Sequence, residues 1–225
     1  YPRKVDFAVQ STLAGVATSL SKIAHDWRIL AHLREVEEPF ESEQIGSSAM
    51  PYKRNPMRAE RICALARHVI VLAQDPAFTA ATQWLERTLD DSANRRVSIP
   101  DAFLALDGCL VLAENVSKGL IVNPAVVEKN LAEHLPFMAT ETILMHATAR
   151  GGDRQDLHER MRKHSIAAAT RLKRGSSESD LIQCIAEDKA FDVSAEELED
   201  LVNPNRFVGR APEQVAQFLR EQVTP

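Results

Sequence analysis

Residues 46–56 concentrate groups that could bind and activate an anionic substrate. Between Pro51 and Ile62 four cations stand against the single anion Glu60, although the whole chain carries a formal net charge of −5. The pair Asn55-Pro56 predicts the start of a helix, because Asn is a favoured N-cap and Pro suits the first helical position. The free N–H groups and the dipole of such a helix start attract anions. An anion site is therefore one interpretation, and a solvated Gly/Ser loop with surface cations is the other.

Residues 86–96 form a second candidate anion site. Asp91 or Ser92 is predicted to cap a long helix, with Arg96 one turn later on the same face and Arg87 just before the turn. A hydroxyl, exposed backbone N–H groups and two guanidinium groups together suit a phosphate. The alternative is an ordinary helix start with Arg–Asp ion pairs on the surface.

The elements that must position these groups are helices. The chain has only 8 glycines, 5% aromatic residues and little β-type alternation, which favours an all-α fold. Apolar residues in alternating steps of four and three predict a first helix over residues 5–36, roughly 45 Å long, that packs against other long helices. Its predicted seam is Val9, Leu13, Val16, Leu20, Ile23, Trp27 and Leu30.

The sequence predicts two more long helices, followed by a C-terminal half that forms a domain of its own. The second helix begins at 55–56, with Ile62 and Val69 on its seam, and the third carries Phe103 and Leu110 among other apolar residues on one face. We assign residues 1–122 to a long-helix domain that includes the loop 41–56, and residues 123–225 to a compact helical C-terminal domain. Asp153 is predicted to cap one helix of this half, and Ser194 with Glu197 has the spacing of a capping box at another. The last helix is predicted to start near Pro212 and carries Val215, Phe218, Leu219 and Val223.

The composition of the chain argues against several classes of protein. With 27 Lys and Arg against 32 Asp and Glu, the chain has no basic field for nonspecific nucleic-acid binding. No apolar run approaches the ~18 residues that a membrane-spanning helix needs, and no secretory signal opens the chain. The three widely spaced cysteines form no metal-ligand pattern and favour reduced thiols in a cytoplasmic protein.

Residues 46–60 resemble the signature loop of the fumarase/aspartase superfamily. Tyr52 and Arg54 within this loop, and the segments 87–96 and 135–141, are similar to the adenylosuccinate lyases of that superfamily. The resemblance implies the superfamily's bundle of long helices, followed by a smaller helical C-terminal domain. It also implies a C–N lyase of purine biosynthesis, which eliminates fumarate from adenylosuccinate to give AMP, and from the succinylated aminoimidazole carboxamide ribotide.

The resemblance also implies roles for single residues. Ser47 would be the base, and Lys53 would stabilise its alkoxide and help to hold the doubly charged intermediate. Substrate would be bound by Ser48, Met50, Asn55, Arg61, Arg87, Ser92 and Arg96, the last three near the phosphate of the nucleotide. No metal and no cofactor is implied.

The histidine that acts as the general acid in this family has no counterpart in the given sequence. None of the seven histidines lies in the expected motif, so we expect the chain to be the C-terminal part of such an enzyme. The resemblance further implies a homotetramer whose active sites are shared between subunits. Two alternatives stay open: another fumarate-releasing lyase, argininosuccinate lyase-like, and an inactive helical assembly fragment that lacks the catalytic histidine.

Overall fold

A computed structural model describes residues 1–40 and 53–223, and its elements confirm the all-α prediction. The helices are α1 Lys4–His32, α2 Met57–Leu72, α3 Asp75–Ala81, α4 Asp91–Gly119, α5 Pro124–Met138, α6 Thr140–Ala149, α7 Arg154–Lys173, α8 Leu181–Glu187, α9 Ala195–Leu201 and α10 Ala211–Phe218. A 3₁₀ turn spans Pro204–Arg206, and a π-helical turn, Leu219–Val223, follows α10. Two short strands, β1 Val36–Glu37 and β2 Ile121–Val122, join the ends of two helices.

The first helix is shorter than predicted. It ends at His32 rather than near residue 36, and Arg34 then takes a left-handed conformation with φ 62°. The chain turns there into β1, in which Val36 pairs antiparallel with Val122 of β2. A strand of two residues is too short to leave a visible alternation in the sequence, so the pattern missed it.

The chain folds into two compact units, Tyr1–Val126 and Val127–Pro225. In the first unit, α1 and α4 run in the same direction, because Arg3 pairs with Asp91 at their starts and β1 pairs with β2 beyond their ends. Helix α2 runs the opposite way between them. The core of this unit contains Ala17, Ala24, Trp27, Ile62, Cys63, Ala66, Val69, Leu106, Cys109 and Val116.

The predicted seams are only partly buried. Leu13, Leu20 and Trp27 of α1 pack in the core, but Val9, Val16 and Ile23 are exposed by 39%, 40% and 43%. Likewise, Phe103 and Leu110 of α4 are about half exposed. The covered face of α1 is a narrow strip with Ala17 and Ala24 at its centre, so the apolar residues beside it remain uncovered within one chain.

The second unit has a core of its own, built around Ile143, Leu157, Leu181, Phe191 and Leu198. Two predicted helix starts are confirmed. Asp153 caps α7 by accepting hydrogen bonds from the N–H groups of residues 155 and 156, and Ser194 forms a capping box with Glu197 at α9.

The last helix differs from the prediction of a compact C-terminal half. No residue of α10 is buried in the described part of the chain, and Val215 and Phe218 are each 59% exposed. The predicted start near Pro212 is confirmed, so the sequence predicted the helix but not its lack of packing. Within the described ranges, no helix is both long enough and apolar enough to cross a membrane.

Candidate functional site

The structure describes only part of the predicted signature site. Ser47, Ser48 and Met50 lie outside the described residues. Lys53 and Asn55 are described, and both are exposed just before α2. The position of the predicted base, Ser47, is therefore known only from the sequence, whereas the structure describes the chain up to residue 40 and again from residue 53.

Lys53 and Asn55 line a pocket of about 410 Å³ at the C-terminal end of α1. Arg54 forms an ion pair with Glu37 at 2.7 Å, and its guanidinium carbon lies 4.7 Å from the centre of the Phe40 ring. Among the described residues, neither Lys53 nor Asn55 has a side-chain hydrogen-bond partner. The ammonium and the amide are therefore available to a ligand, while Arg54 is held by its own chain.

The start of α2 differs from the prediction, because Asn55 does not cap it. The helix begins at Met57, and the carboxylate of Glu38 accepts hydrogen bonds from the backbone N–H groups of Arg58 at 3.0 Å and Ala59 at 2.7 Å. The expectation that these N–H groups wait for a substrate anion is wrong for this structure, since an internal anion already occupies them. Sequence reasoning missed Glu38, because a carboxylate twenty residues upstream gives no local capping signal.

Arg61 lies on the first turns of α2 with its side chain exposed, and it does not line the pocket of Lys53. A neighbouring cavity of about 590 Å³ is lined by His25, Arg28, His32 and Glu60 among others. Asn55 borders both cavities, so its amide can reach a ligand in either one.

The second predicted group assembles at the start of α4, but its capping differs from the prediction. Asp91 is the first helical residue, the residue before it makes no side-chain cap, and neither Asp91 nor Ser92 caps the helix. Instead, Ser92 Oγ accepts a hydrogen bond from Arg96 Nη1 at 2.9 Å. Arg87, 54% exposed, lies 3.9 Å from the buried carboxylate of Asp91. A hydroxyl and two partly exposed guanidinium groups thus meet at one helix start, an arrangement that can bind a phosphate.

Buried ionic contacts hold this helix start against the beginning of α1. Arg3 pairs with Asp91, whose side chain is completely buried. Arg95 donates to Asp6 at 2.6 Å, and the Tyr1 hydroxyl donates to the same carboxylate at 3.0 Å. Burial raises the pKa of Asp6, but the hydrogen bonds from Arg95 and Tyr1 outweigh it and leave the pKa below its ordinary value.

The two groups do not meet within one chain. The pocket of Lys53 and Asn55 lies at the end of α1, whereas the cluster of Arg87, Ser92 and Arg96 lies beside its start. At 1.5 Å per residue, the 29 residues of α1 separate them by about 40 Å. This distance exceeds the length of a nucleotide, so a single copy cannot offer both groups to one small substrate.

No metal centre accompanies either group in the parts of the chain that the structure describes. Residues 1–40 and 53–223 contain no set of three or more His, Cys, Asp or Glu side chains placed to hold a metal ion. The described side chains of the two groups offer cations, an amide and a hydroxyl to a ligand.

Comparison with known proteins identifies the family. Residues 4–71 match the profile described as "Lyase", and residues 136–218 match the one described as "Adenylosuccinate lyase C-terminus". The adenylosuccinate lyase of Saccharomyces cerevisiae is 51% identical over 99% of this chain and 46% of its own length. The chain belongs to the adenylosuccinate lyase family.

Other relatives agree with this assignment. The adenylosuccinate lyase of Schistosoma mansoni is 46% identical over 100% of the chain and 47% of its own length, and that of Pyrococcus abyssi is 35% identical over 92% and 45%. The chain thus spans about half the length of the curated relatives it matches.

Solved structures show the same fold in other members of the superfamily. The fumarate lyase of Mesorhizobium sp. BNC1 superposes with a TM-score of 0.81 at 24% identity, covering 98% of this chain and 48% of that one. The 3-carboxy-cis,cis-muconate lactonizing enzyme of Pseudomonas putida gives 0.78 at 26% identity, covering 95% and 46%. This chain therefore shares its long-helix fold with both enzymes.

Proposed function

We propose that the natural full-length protein is an adenylosuccinate lyase, which releases fumarate from adenylosuccinate to form AMP and performs the equivalent cleavage of the succinylated aminoimidazole carboxamide ribotide. The observation that carries this proposal is the 51% identity to the yeast relative of that name, over almost the whole chain. The two cationic groups agree with it, since this substrate carries two carboxylates at one end and a phosphate at the other.

In the proposed reaction, Ser47 removes a proton from the carbon next to a substrate carboxylate. Negative charge then spreads into that carboxylate, and the C–N bond breaks with its electron pair leaving on the amine. Lys53 and Asn55 hold the doubly charged intermediate, because a cation and an amide donor already in position stabilise charge as it develops. The proton that the departing nitrogen needs comes from an acid outside the residues assigned here.

The nucleotide end of the substrate is assigned to the second group. Arg87, Ser92 and Arg96 would bind the phosphate, and Arg61 would contact the nucleotide nearer to α2. Guanidinium groups suit this task because they offer paired, charged hydrogen bonds to phosphate oxygens.

The separation of the two groups supports an assembly in which copies share active sites, and we propose the homotetramer. Exposed apolar residues along the long helices support the same proposal, because one chain leaves them uncovered. They include Val9, Val16 and Ile23 of α1 and Val97, Phe103, Leu104, Leu110 and Val111 of α4. Exposed apolar residues that form a patch on one surface are typical of an interface.

The first experiment measures fumarate release by the natural full-length protein from adenylosuccinate and, as a comparison, from argininosuccinate. We expect cleavage of adenylosuccinate alone, and Arg96→Ala should raise KM for it. Ser47→Ala should lower kcat by several orders of magnitude while the assembly remains intact. Normal turnover of Ser47→Ala would reject the base, and an unchanged KM of Arg96→Ala would reject the phosphate site.

A mixing experiment tests the sharing of sites. Lys53→Ala is expected to be nearly inactive, and Arg96→Ala is expected to be nearly inactive when the substrate concentration is kept far below its raised KM. If one site takes Lys53 and Arg96 from different copies, random reassembly of an equal mixture restores about one quarter of the native sites. If both residues act from the same copy, no mixture regains activity, and sharing between these two groups is rejected.

A further inference from the structure

Glu38 uses both of its carboxylate oxygens inside the chain. Oε2 accepts from the backbone N–H of Arg58 at 3.0 Å, and Oε1 accepts from that of Ala59 at 2.7 Å. These donors belong to the first turn of α2, which has no side-chain cap of its own. Hydrogen bonds from backbone N–H groups to a carboxylate are among the stronger ones in proteins, and the helix dipole adds to them.

One of these N–H groups, that of Arg58, is within the capping range of Asn55. If Pro56 were the first helical residue, Asn55 would be the N-cap, and its side chain would accept from the N–H of Met57 or Arg58. Glu38 and Asn55 therefore compete for the Arg58 N–H. In this structure Glu38 holds it, and the Asn55 amide lies exposed at the pocket of Lys53 without a partner among the described residues.

The residues beside Glu38 are held against the same segment. Arg58 Nη1 donates to the carbonyl oxygen of Pro39, and Arg54 lies over the ring of Phe40. The chain before residue 41 is thus joined to the chain after residue 52 by several independent contacts, with Glu38 at their centre.

We propose that Glu38 is a positioning residue, which caps α2 in place of Asn55 and so leaves the Asn55 amide free to bind a carboxylate of the substrate. The inference rests on the function proposed above and adds a residue to it. The effect of Glu38 on substrate binding that it predicts is opposite in sign to the effect expected from charge alone. Glu38 is an anion beside a pocket for anions, so its charge alone would weaken substrate binding, whereas its capping role strengthens it.

The test uses steady-state kinetics of the natural full-length protein with adenylosuccinate. Glu38→Ala frees the Arg58 N–H, Asn55 turns back to cap the helix, and kcat/KM should fall about tenfold or more, the value of one hydrogen bond to a charged group. In an Asn55→Ala background the same change should have little further effect, because the amide is already absent. Purely structural damage would instead lower kcat/KM by the same factor in both backgrounds.

Two further variants keep the outcome interpretable. Glu38→Gln retains one acceptor oxygen without the charge, so it should fold even if Glu38→Ala does not, and it should show a smaller loss and the same non-additivity with Asn55→Ala. Glu114→Gln removes an exposed carboxylate paired with Lys118 and should leave both kcat and KM unchanged.

Every other outcome rejects either the positioning role of Glu38 or the proposed function as well. If the unaltered protein cleaves adenylosuccinate and Glu38→Ala has an unchanged or lower KM with unchanged kcat, the positioning role is rejected and the proposed function stands. Additive losses in the double variant reject the role as well. If the unaltered protein releases no fumarate from adenylosuccinate, both the function and the inference fall.

Discussion

Replacing Asp91 by asparagine should destabilise the first unit through the loss of one buried charge. The Asp91 side chain is fully buried, and its partner Arg3 is only 11% exposed. Removing one member of a buried ion pair generally costs about 3–5 kcal/mol, because the other charge stays buried without compensation. We expect the lower end, about 3 kcal/mol, because Asp91 Oδ1 already lacks a hydrogen-bond partner and Arg3 is close enough to the surface to reach water.

Urea unfolding of the protein and of Asp91→Asn measures this cost as a shift of the midpoint at constant slope. Glu114→Gln, in an exposed pair with Lys118, serves as the matched control and should not shift the midpoint measurably. A double variant, Arg3→Met with Asp91→Leu, should recover most of the loss, since an apolar pair of similar size often replaces a buried ion pair without penalty. If Asp91→Asn stays within about 0.5 kcal/mol of the control, the pair does not hold the start of α4 and the reasoning fails.

Three further predictions concern packing, pH and capping. Ala17→Leu should destabilise the protein by about 1–3 kcal/mol in urea unfolding, because Ala17 is fully buried in the core that α1, α2 and α4 share. The same change at exposed Ala8 should cost less, and equal costs would contradict the tight packing around Ala17. Because the pKa of Asp6 is lower in the folded protein than its unfolded value near 3.8, the ionised carboxylate stabilises the fold above that pH. This contribution is lost as the pH falls through the folded pKa. Asp6→Asn should therefore flatten the acid side of the curve of stability against pH, and an unchanged curve would refute the prediction. Ser194→Ala should lower the free energy of unfolding by about 1 kcal/mol, because it removes the capping box at α9. Ser177→Ala, at an exposed serine, is the control, and equal unfolding midpoints for the two variants would contradict the role of the cap.

Capping illustrates what the sequence could predict and what it could not. Asp153 and Ser194 cap their helices as predicted, because each bonds N–H groups two or three residues away and the spacing is visible in the sequence. The start of α2 is capped instead by Glu38, and Asp91 at the start of α4 pairs with Arg3, eighty-eight residues away. A local pattern reveals the donors of a helix start, but only the tertiary fold decides which acceptor reaches them.

Apolar periodicity had a similar limit. It predicted the long helices, since a repeat of 3.5 residues is a property of the helix itself. It did not distinguish Leu13, which packs in the core, from Val16, which stays exposed in the single chain. Both are apolar and lie on neighbouring strips of α1, and the covered strip is the one that carries the buried residues Ala17 and Ala24.

The directions of the long helices connect these observations with the proposed chemistry. Because α1 and α4 run one way and α2 runs the other, the start of α2 with Lys53 and the start of α4 with Arg96 must lie at opposite ends of the first unit. Lengthening or bending a loop cannot close a gap of about 40 Å that rigid helices impose. A second copy packed antiparallel against the first would place the start of its α4 beside the start of the first copy's α2, and a two-fold axis produces this arrangement twice over. The long apolar strips that one chain leaves exposed are the surfaces such packing would cover, so the proposed sharing of the site would account for both the length of the helices and the uncovered residues.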